Sequence, residues 1–244
     1  NKLIVEYQVP TFGTDTMIHI EVILFGDGGV LFQYADMPAN SGSWSHESVG
    51  FEDHTGALGV QILYGSMPAS NTAFMIPAAC HLSDADVNQP VLFEGCCTSQ
   101  PCQCENVNSC TVTTDYDFLW VDLIDSGAGT RINNGDWTQN DDDGWFNVDL
   151  PFDFHWFGQV ERTITIGTNG VLTFGAGQLP YGSSEPVPCA YGDDGCSNGV
   201  QVDGVIAPLW CDLNPAVSGA DEGEGVFYQV IDAGNELLQS FNKL

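Results

Sequence analysis

The sequence predicts an all-β chain, an antiparallel β-sandwich of jelly-roll type with a disulfide-rich connector. Three observations carry that reading. From Phe146 to Trp156 every second residue is apolar (Phe146, Val148, Leu150, Phe152, Phe154, Trp156). This is the period of a strand with one buried face, whereas a helix would scatter the same aromatics around its surface. Short apolar runs recur along the chain with Gly-, Asn- and Asp-containing turns between them, the spacing of a sandwich or barrel. No segment of ten or more residues combines a 3.6-residue period with helix caps.

Taken in order, residues 3–9 alternate Leu3, Val5, Tyr7 and Val9 against Ile4, Glu6 and Gln8, and Pro10 ends that strand. Residues 17–25 and 29–36 form a hairpin. A three-residue Gly26-Asp27-Gly28 loop sets Leu24 opposite Val30 and Val22 opposite Phe32. Residues 37–46 are a polar loop, and 48–65 hold two further short strands. Residues 133–144 are a turn packed with acids. In the long strand that follows, Pro151 cannot donate a ladder hydrogen bond, so that strand lies at an edge or carries a bulge. For the hairpin at 164–174, a two-residue Asn169-Gly170 turn would mix the faces. A three-residue loop, Thr168-Asn169-Gly170, sets Ile166 opposite Leu172 and Ile164 opposite Phe174, all on one face, with Gly170 left-handed. A loop at 176–202 and strands at 204–210 and 225–231 complete the reading. The predicted core contains Phe152, Phe154, Ile164, Ile166, Leu172, Phe174, Trp210, Val22, Leu24 and Phe32.

Four basic residues stand against 33 acidic ones, a formal net charge of −29. That balance excludes nucleic acid and anionic membrane as partners, and no membrane-spanning run is visible. Nine cysteines point to an oxidising, extracellular or cell-surface location. Six of them, Cys80, Cys96, Cys97, Cys102, Cys104 and Cys110, crowd into residues 78–111. No pair of zinc-type Cys-x-x-Cys knuckles occurs, so this segment is expected to be a connector stapled largely within itself. Cys189 and Cys196 can close a local loop. Cys211, after Trp210 in an apolar run, is the candidate free thiol.

Asp136, Asn140, Asp141, Asp142 and Asp143 form the candidate metal site. Calcium takes six to eight oxygens of this kind, though the order of an EF-hand is absent, and a solvated acidic turn has the same pattern. No other cofactor is expected. Trp137 and Trp145, flanking this loop, are the aromatic pair expected at the surface, where they could take a glycan. Neither His155 nor His19 has a Ser or Cys nucleophile in a recognisable elbow, and the Gly-containing loops are hairpins without a following Lys or helix. The chain is therefore expected not to be an enzyme. A glycosidase needs only two placed carboxylates, which keeps a secreted carbohydrate-active enzyme as a third reading.

The segments LPFDFHWFG, TNGVLTFG, VIAPLWCDLNP and GVFYQV, in that order, resemble the nidogen-like (NIDO) extracellular domain, in the form repeated in large secreted adhesins. YDFLWVDLIDSGAGTRI (116–132) resembles the opening strand of that repeat, and LIVEYQVP with the hairpins after it resembles its second half. The resemblance implies a permuted order. Residues 1–77 are the second half of a sandwich, 78–111 the connector, and 112–244 a first half, completed by residues 1–77 of the same or a neighbouring unit. The chain starts Asn1-Lys2-Leu3 and stops Asn242-Lys243-Leu244, and overlaying them gives one continuous strand. The expected function is then a structural subunit of an extracellular filament, its partner another copy, joined head to tail through Leu3, Val5, Tyr7, Phe241 and Leu244. Tandem repeats, strand exchange and a closed permuted monomer all fit that order. A calcium-dependent carbohydrate-binding adhesion module is the alternative.

Overall fold

The computed structural model describes residues 1–13, 16–38, 47–54, 56, 59–78, 112–113, 116–174, 204–217 and 223–232. Twelve strands make up the described fold: β1 (Lys2–Pro10), β2 (Met17–Phe25), β3 (Val30–Asp36), β4 (Ser48–Glu52), β5 (Gly59–Tyr64), β6 (Thr72–Ile76), β7 (Thr130–Ile132), β8 (Trp145–Trp156), β9 (Gln159–Gly167), β10 (Leu172–Phe174), β11 (Ile206–Trp210) and β12 (Gly225–Ile231). They form two six-stranded antiparallel sheets. The first has the order β6-β3-β2-β1-β12-β7 and the second β5-β4-β11-β10-β9-β8. Their inner faces pack together into one core that holds Leu3, Val5, Tyr7, Val22, Leu24, Phe32, Phe154, Trp156, Ile164, Ile166 and Leu172.

Alternation along β8 is realised from Asn147 onward. Val148, Leu150, Phe152, Phe154 and Trp156 are buried while Asn147, Asp149, Pro151, Asp153 and His155 are exposed. Pro151 sits where its missing donor does no harm, on the edge strand and inside a break of register between Asp149 and Phe154. Both three-residue hairpin loops are present. Leu172 faces Ile166 and Phe174 faces Ile164, and Leu24 faces Val30 with Val22 facing Phe32. Gly28 and Gly170 take the left-handed conformation that these loops require. A Cβ on Gly170 would also run into the carbonyl of Leu209.

Two tyrosines tie the layers together. Tyr7 on β1 donates its hydroxyl to Gly167 O at 3.0 Å, and Tyr34 on β3 donates to Pro208 O at 2.6 Å. Both rings are fully buried, so each hydroxyl needs a partner, and each finds it in the opposite sheet.

Trp210 is buried as expected, in a separate apolar cluster with Val171, Val205 and Ala207. Two expectations are corrected. Residues 116–129 form no strand, and only Thr130–Ile132 of the predicted opening segment pairs. Phe174 is only half-buried, at the rim of the core. The predicted connector (beyond Ala78 and before Val112) and the 176–202 loop lie outside the described residues.

Gly170→Ala is expected to lose about 1–3 kcal/mol in urea unfolding, from strain at positive φ plus the clash with Leu209. Gly158, also at positive φ but with open space around it, carries only the strain and should lose less when changed to Ala.

Candidate assembly seam

The strands divide unequally between the two ends of the chain. In the first sheet β6, β3, β2 and β1 come from residues 1–77, and β12 and β7 from the second part. In the second sheet β5 and β4 come from the first part, and β11, β10, β9 and β8 from the second. A single seam therefore runs through both sheets. In the first sheet it is the β1–β12 pairing, with Leu3 opposite Val230, Val5 opposite Tyr228 and Tyr7 opposite Val226. In the second it is the β4–β11 pairing, with Phe51 opposite Ile206. Leu3, Val5 and Tyr7, predicted as assembly residues, are all fully buried on this seam. Phe241 and Leu244 lie outside the described residues.

Other contacts cross the seam. The two tyrosine bonds do, and Trp156 Nε1 donates to Glu52 O at 3.0 Å. His54 Nε2 meets Glu161 Oε1 at 2.7 Å. The backbone of Met75 on β6 exchanges two hydrogen bonds with Thr113, at 2.9 and 3.0 Å.

A third layer, not foreseen from the sequence, covers the outer face of the first sheet. Glu6, Glu21 and Gln33 stand side by side on β1, β2 and β3, since Glu6 is opposite Glu21 and Glu21 opposite Gln33. All three are 0 % exposed. An extended strap, residues 116–124, crosses them with alternate amides pointing down. Leu119 N donates to Gln33 Oε1 at 2.6 Å, Val121 N to Glu21 Oε1 at 3.4 Å, and Leu123 N to Glu6 Oε2 at 2.8 Å. Gln33 Nε2 donates to Glu21 Oε1 at 2.5 Å and to Leu119 O at 2.9 Å. His19 Nε2 lies 2.6 Å from Glu6 Oε1, under the edge of Trp120. Around this polar line Ile4, Ile23, Leu31, Ala73 and Phe227 pack against Leu123, Phe118, Val121 and Ile124 of the strap. The strap needs no strand partner for these three amides, because side chains accept their hydrogen bonds.

Burial pushes the Glu21 carboxyl up to about 8, and the neighbouring Glu6 adds to the effect, while the Val121 amide, Gln33 and Lys2 oppose it. Its second oxygen, Oε2, is buried without a partner. Charging this group would leave a second buried carboxylate beside Glu6.

The acidic loop is largely satisfied from within. Asn140 Oδ1 accepts from Asp142 N (2.8 Å) and Asp143 N (2.6 Å), Asp141 Oδ1 from Gly135 N (2.6 Å), and Asp136 Oδ2 from Asn133 N (2.9 Å). Asn169 binds the loop to the hairpin, donating to Asp143 Oδ1 at 3.2 Å while accepting from Leu213 N at 2.9 Å. Burial together with Asp142 and Asp143 pushes Asp212 up to about 6. Among the described residues no three His, Cys, Asp or Glu side chains stand together so that they could hold a metal ion. Trp137, expected at the surface, is only 6 % exposed and belongs to the core, while Trp145 is half-buried. A paired aromatic platform flanking this loop is therefore not formed. Cys211 is a free, buried thiol, and burial with Glu47 and Asp212 nearby raises it well above the ordinary thiol range. Cys80, Cys96, Cys97, Cys102, Cys104, Cys110, Cys189 and Cys196 lie outside the described residues. Among the described residues no helix is long and apolar enough to cross a membrane.

Fold and seam together define a two-sheet antiparallel β-sandwich whose sheets are each completed by strands from both ends of the chain. Residues 121–235 match a family model described as NIDO related, and domains of that type are typically extracellular modules, structural or adhesive. The match takes in β7–β12 and the end of the strap, whereas β1–β6 lie outside it. No curated protein and no solved structure matches the chain.

Two outcomes are expected. Between about pH 4.5 and 8 the folded chain holds a proton on Glu21 that the unfolded chain has released, so stability from this group falls as pH rises through that window. Glu21→Gln should remove this slope. Its stability difference from the unmodified chain should be smallest near pH 4.5 and grow in favour of the variant toward pH 8, by up to roughly 1 kcal/mol per unit in urea titrations. For Cys211, a thiol reagent should react only after denaturation, because the reactive thiolate is suppressed and covered.

Proposed function

We propose that the protein is a structural subunit of an extracellular filament, built head to tail, with residues 1–77 of one unit completing the sandwich formed by 112–244 of the next. The observation that carries this reading is the position of β1, in the middle of the first sheet with β2 on one side and β12 on the other. Without the other half, β1 and β4 would become open edges of the first part, and β12 and β11 open edges of the second. Open edges of this length are templates for strand addition. A contact between unlike surfaces on successive units does not close on itself, which is what an open filament needs. Each half carries what the other lacks, so the partner is a second copy of the chain. The acidic surface suits solubility of such a polymer outside the cell.

Tandem repetition and strand exchange both meet the requirement, and mass separates them. Under native conditions, electron microscopy and sedimentation of the unmodified protein should show fibrous particles. After reduction and denaturation, a very large chain supports tandem repeats and subunits of one chain mass support exchange. A monodisperse single-chain particle at every concentration overturns the filament reading. Chelation of calcium should leave the particles intact, whereas their dissolution would favour the calcium-dependent adhesion alternative.

A further inference from the structure

The ladder on the outer face of the first sheet has the features of a peptide-recognition surface. Its three acceptors come from three adjacent strands and receive the amides of residues 119, 121 and 123, one position in two. Only a segment in extended conformation presents its amides to one side with that period. The acceptors bind backbone, and Gln33 also binds a backbone carbonyl, that of Leu119. Apolar ground on both sides of the ladder takes the side chains of Phe118, Val121, Leu123 and Ile124.

The segment now on this surface is only partly covered by it. Leu119 is 59 % exposed and Tyr116 is also exposed, while Trp120 rests on His19 and Phe118. The three ladder residues belong to the part of the chain before residues 79–111, and the strap to the part after them. The backbone contacts that hold the strap therefore do not distinguish a strap on the same chain from one on another copy.

We propose that Glu6, Glu21 and Gln33, with His19 beside them, form a docking site for one extended segment, and that residues 116–124 of a second copy can fill it in place of the chain's own. The choice of donor rests on the complementation reading above, because the strap travels with the half that complementation exchanges. The second copy supplies a segment whose fit the structure shows: extended, with alternate amides facing the three acceptors and apolar side chains beside them.

Two full-length variants test it by complementation. Leu119→Pro with Leu123→Pro removes two of the three donors from the strap and keeps the site. Proline suits an extended segment and lacks the amide; at position 123 it also replaces a buried leucine side chain, whereas Leu119 is exposed. Glu21→Ala with Gln33→Ala disables the site and leaves the strap whole. Each variant is first checked by circular dichroism, and Leu119→Pro alone, at the most exposed position of the strap, replaces the double variant if that does not fold. An equimolar mixture should form a species larger than either variant forms by itself. A fluorescein-labelled peptide of residues 116–124 should bind the proline variant at least tenfold more tightly than the unmodified chain or the alanine variant. A folded proline variant that neither binds the peptide nor associates with the alanine variant overturns the inference. Filaments of unmodified protein alongside no peptide binding sink this inference alone. Peptide binding by a chain that never polymerises leaves it standing and removes the filament reading.

Discussion

Everything in this structure depends on the antiparallel pairing of β1 with β12. From Lys2 opposite Ile231 to Gln8 opposite Gly225 the register is unbroken, and β1 is paired just as fully on its other side with β2. A strand with neighbours on both sides has no unpaired backbone group to present to water or to another chain, provided both neighbours are in place. Removing β12 exposes an edge and uncovers the inner faces of both sheets, because among the described strands β7 pairs only with β12. The second sheet repeats the dependence at β4 and β11. The sandwich is thus a single cooperative object made from two segments, neither of which holds a closed sheet.

The outer face of the first sheet obeys a different rule. Central strands of a sandwich commonly turn one face to water, and Glu6, Glu21 and Gln33 occupy such outward positions. Here they are covered instead, and the cost of burying two carboxylates is offset by amides delivered from the strap and by the imidazole of His19. Compensation is uneven. Glu6 gains an amide and a histidine, whereas Glu21 shares one oxygen between Gln33 and a long contact from Val121 and leaves the other bare. That asymmetry is why the Glu21 carboxyl is pushed up to about 8 and keeps its proton near neutrality.

Much of the sandwich was legible residue by residue. Alternation located β8, and requiring like faces to match decided both hairpin loops and hence four cross-strand pairs. The same registers contained the ladder: once Val22 faces Phe32, Glu21 must face Gln33. What hid it was the assumption that an outward acid is a wet acid, which holds for Asp149 and Asp153 but fails under the strap. The strap itself was misleading, because Phe118, Trp120 and Val121 favour strands as much as any residues do. Trp137 failed for the opposite reason. Its neighbours in sequence are polar, while its neighbours in space are the core residues reached by the 133–144 loop folding back. Pairing between the two ends of the chain came from the family resemblance rather than from any pattern, since no period in a sequence says which distant strand lies next to which.

The tyrosines of β1 and β3 have a consequence for how the two layers behave under load. Apolar side chains pack tightly but tolerate small sliding, because a methyl group displaced by a fraction of an ångström still finds another methyl group. A phenol held to one carbonyl does not. Tyr7 and Tyr34 engage the second sheet at separate points, Gly167 and Pro208, and two fixed points suppress rotation as well as translation. Both donors lie in the N-terminal part and both acceptors in the C-terminal part, so the layers cannot shear without breaking a buried hydrogen bond in a dry core. The resistance of this sandwich to lateral force is therefore set by two hydroxyl groups as well as by the bulk of its core.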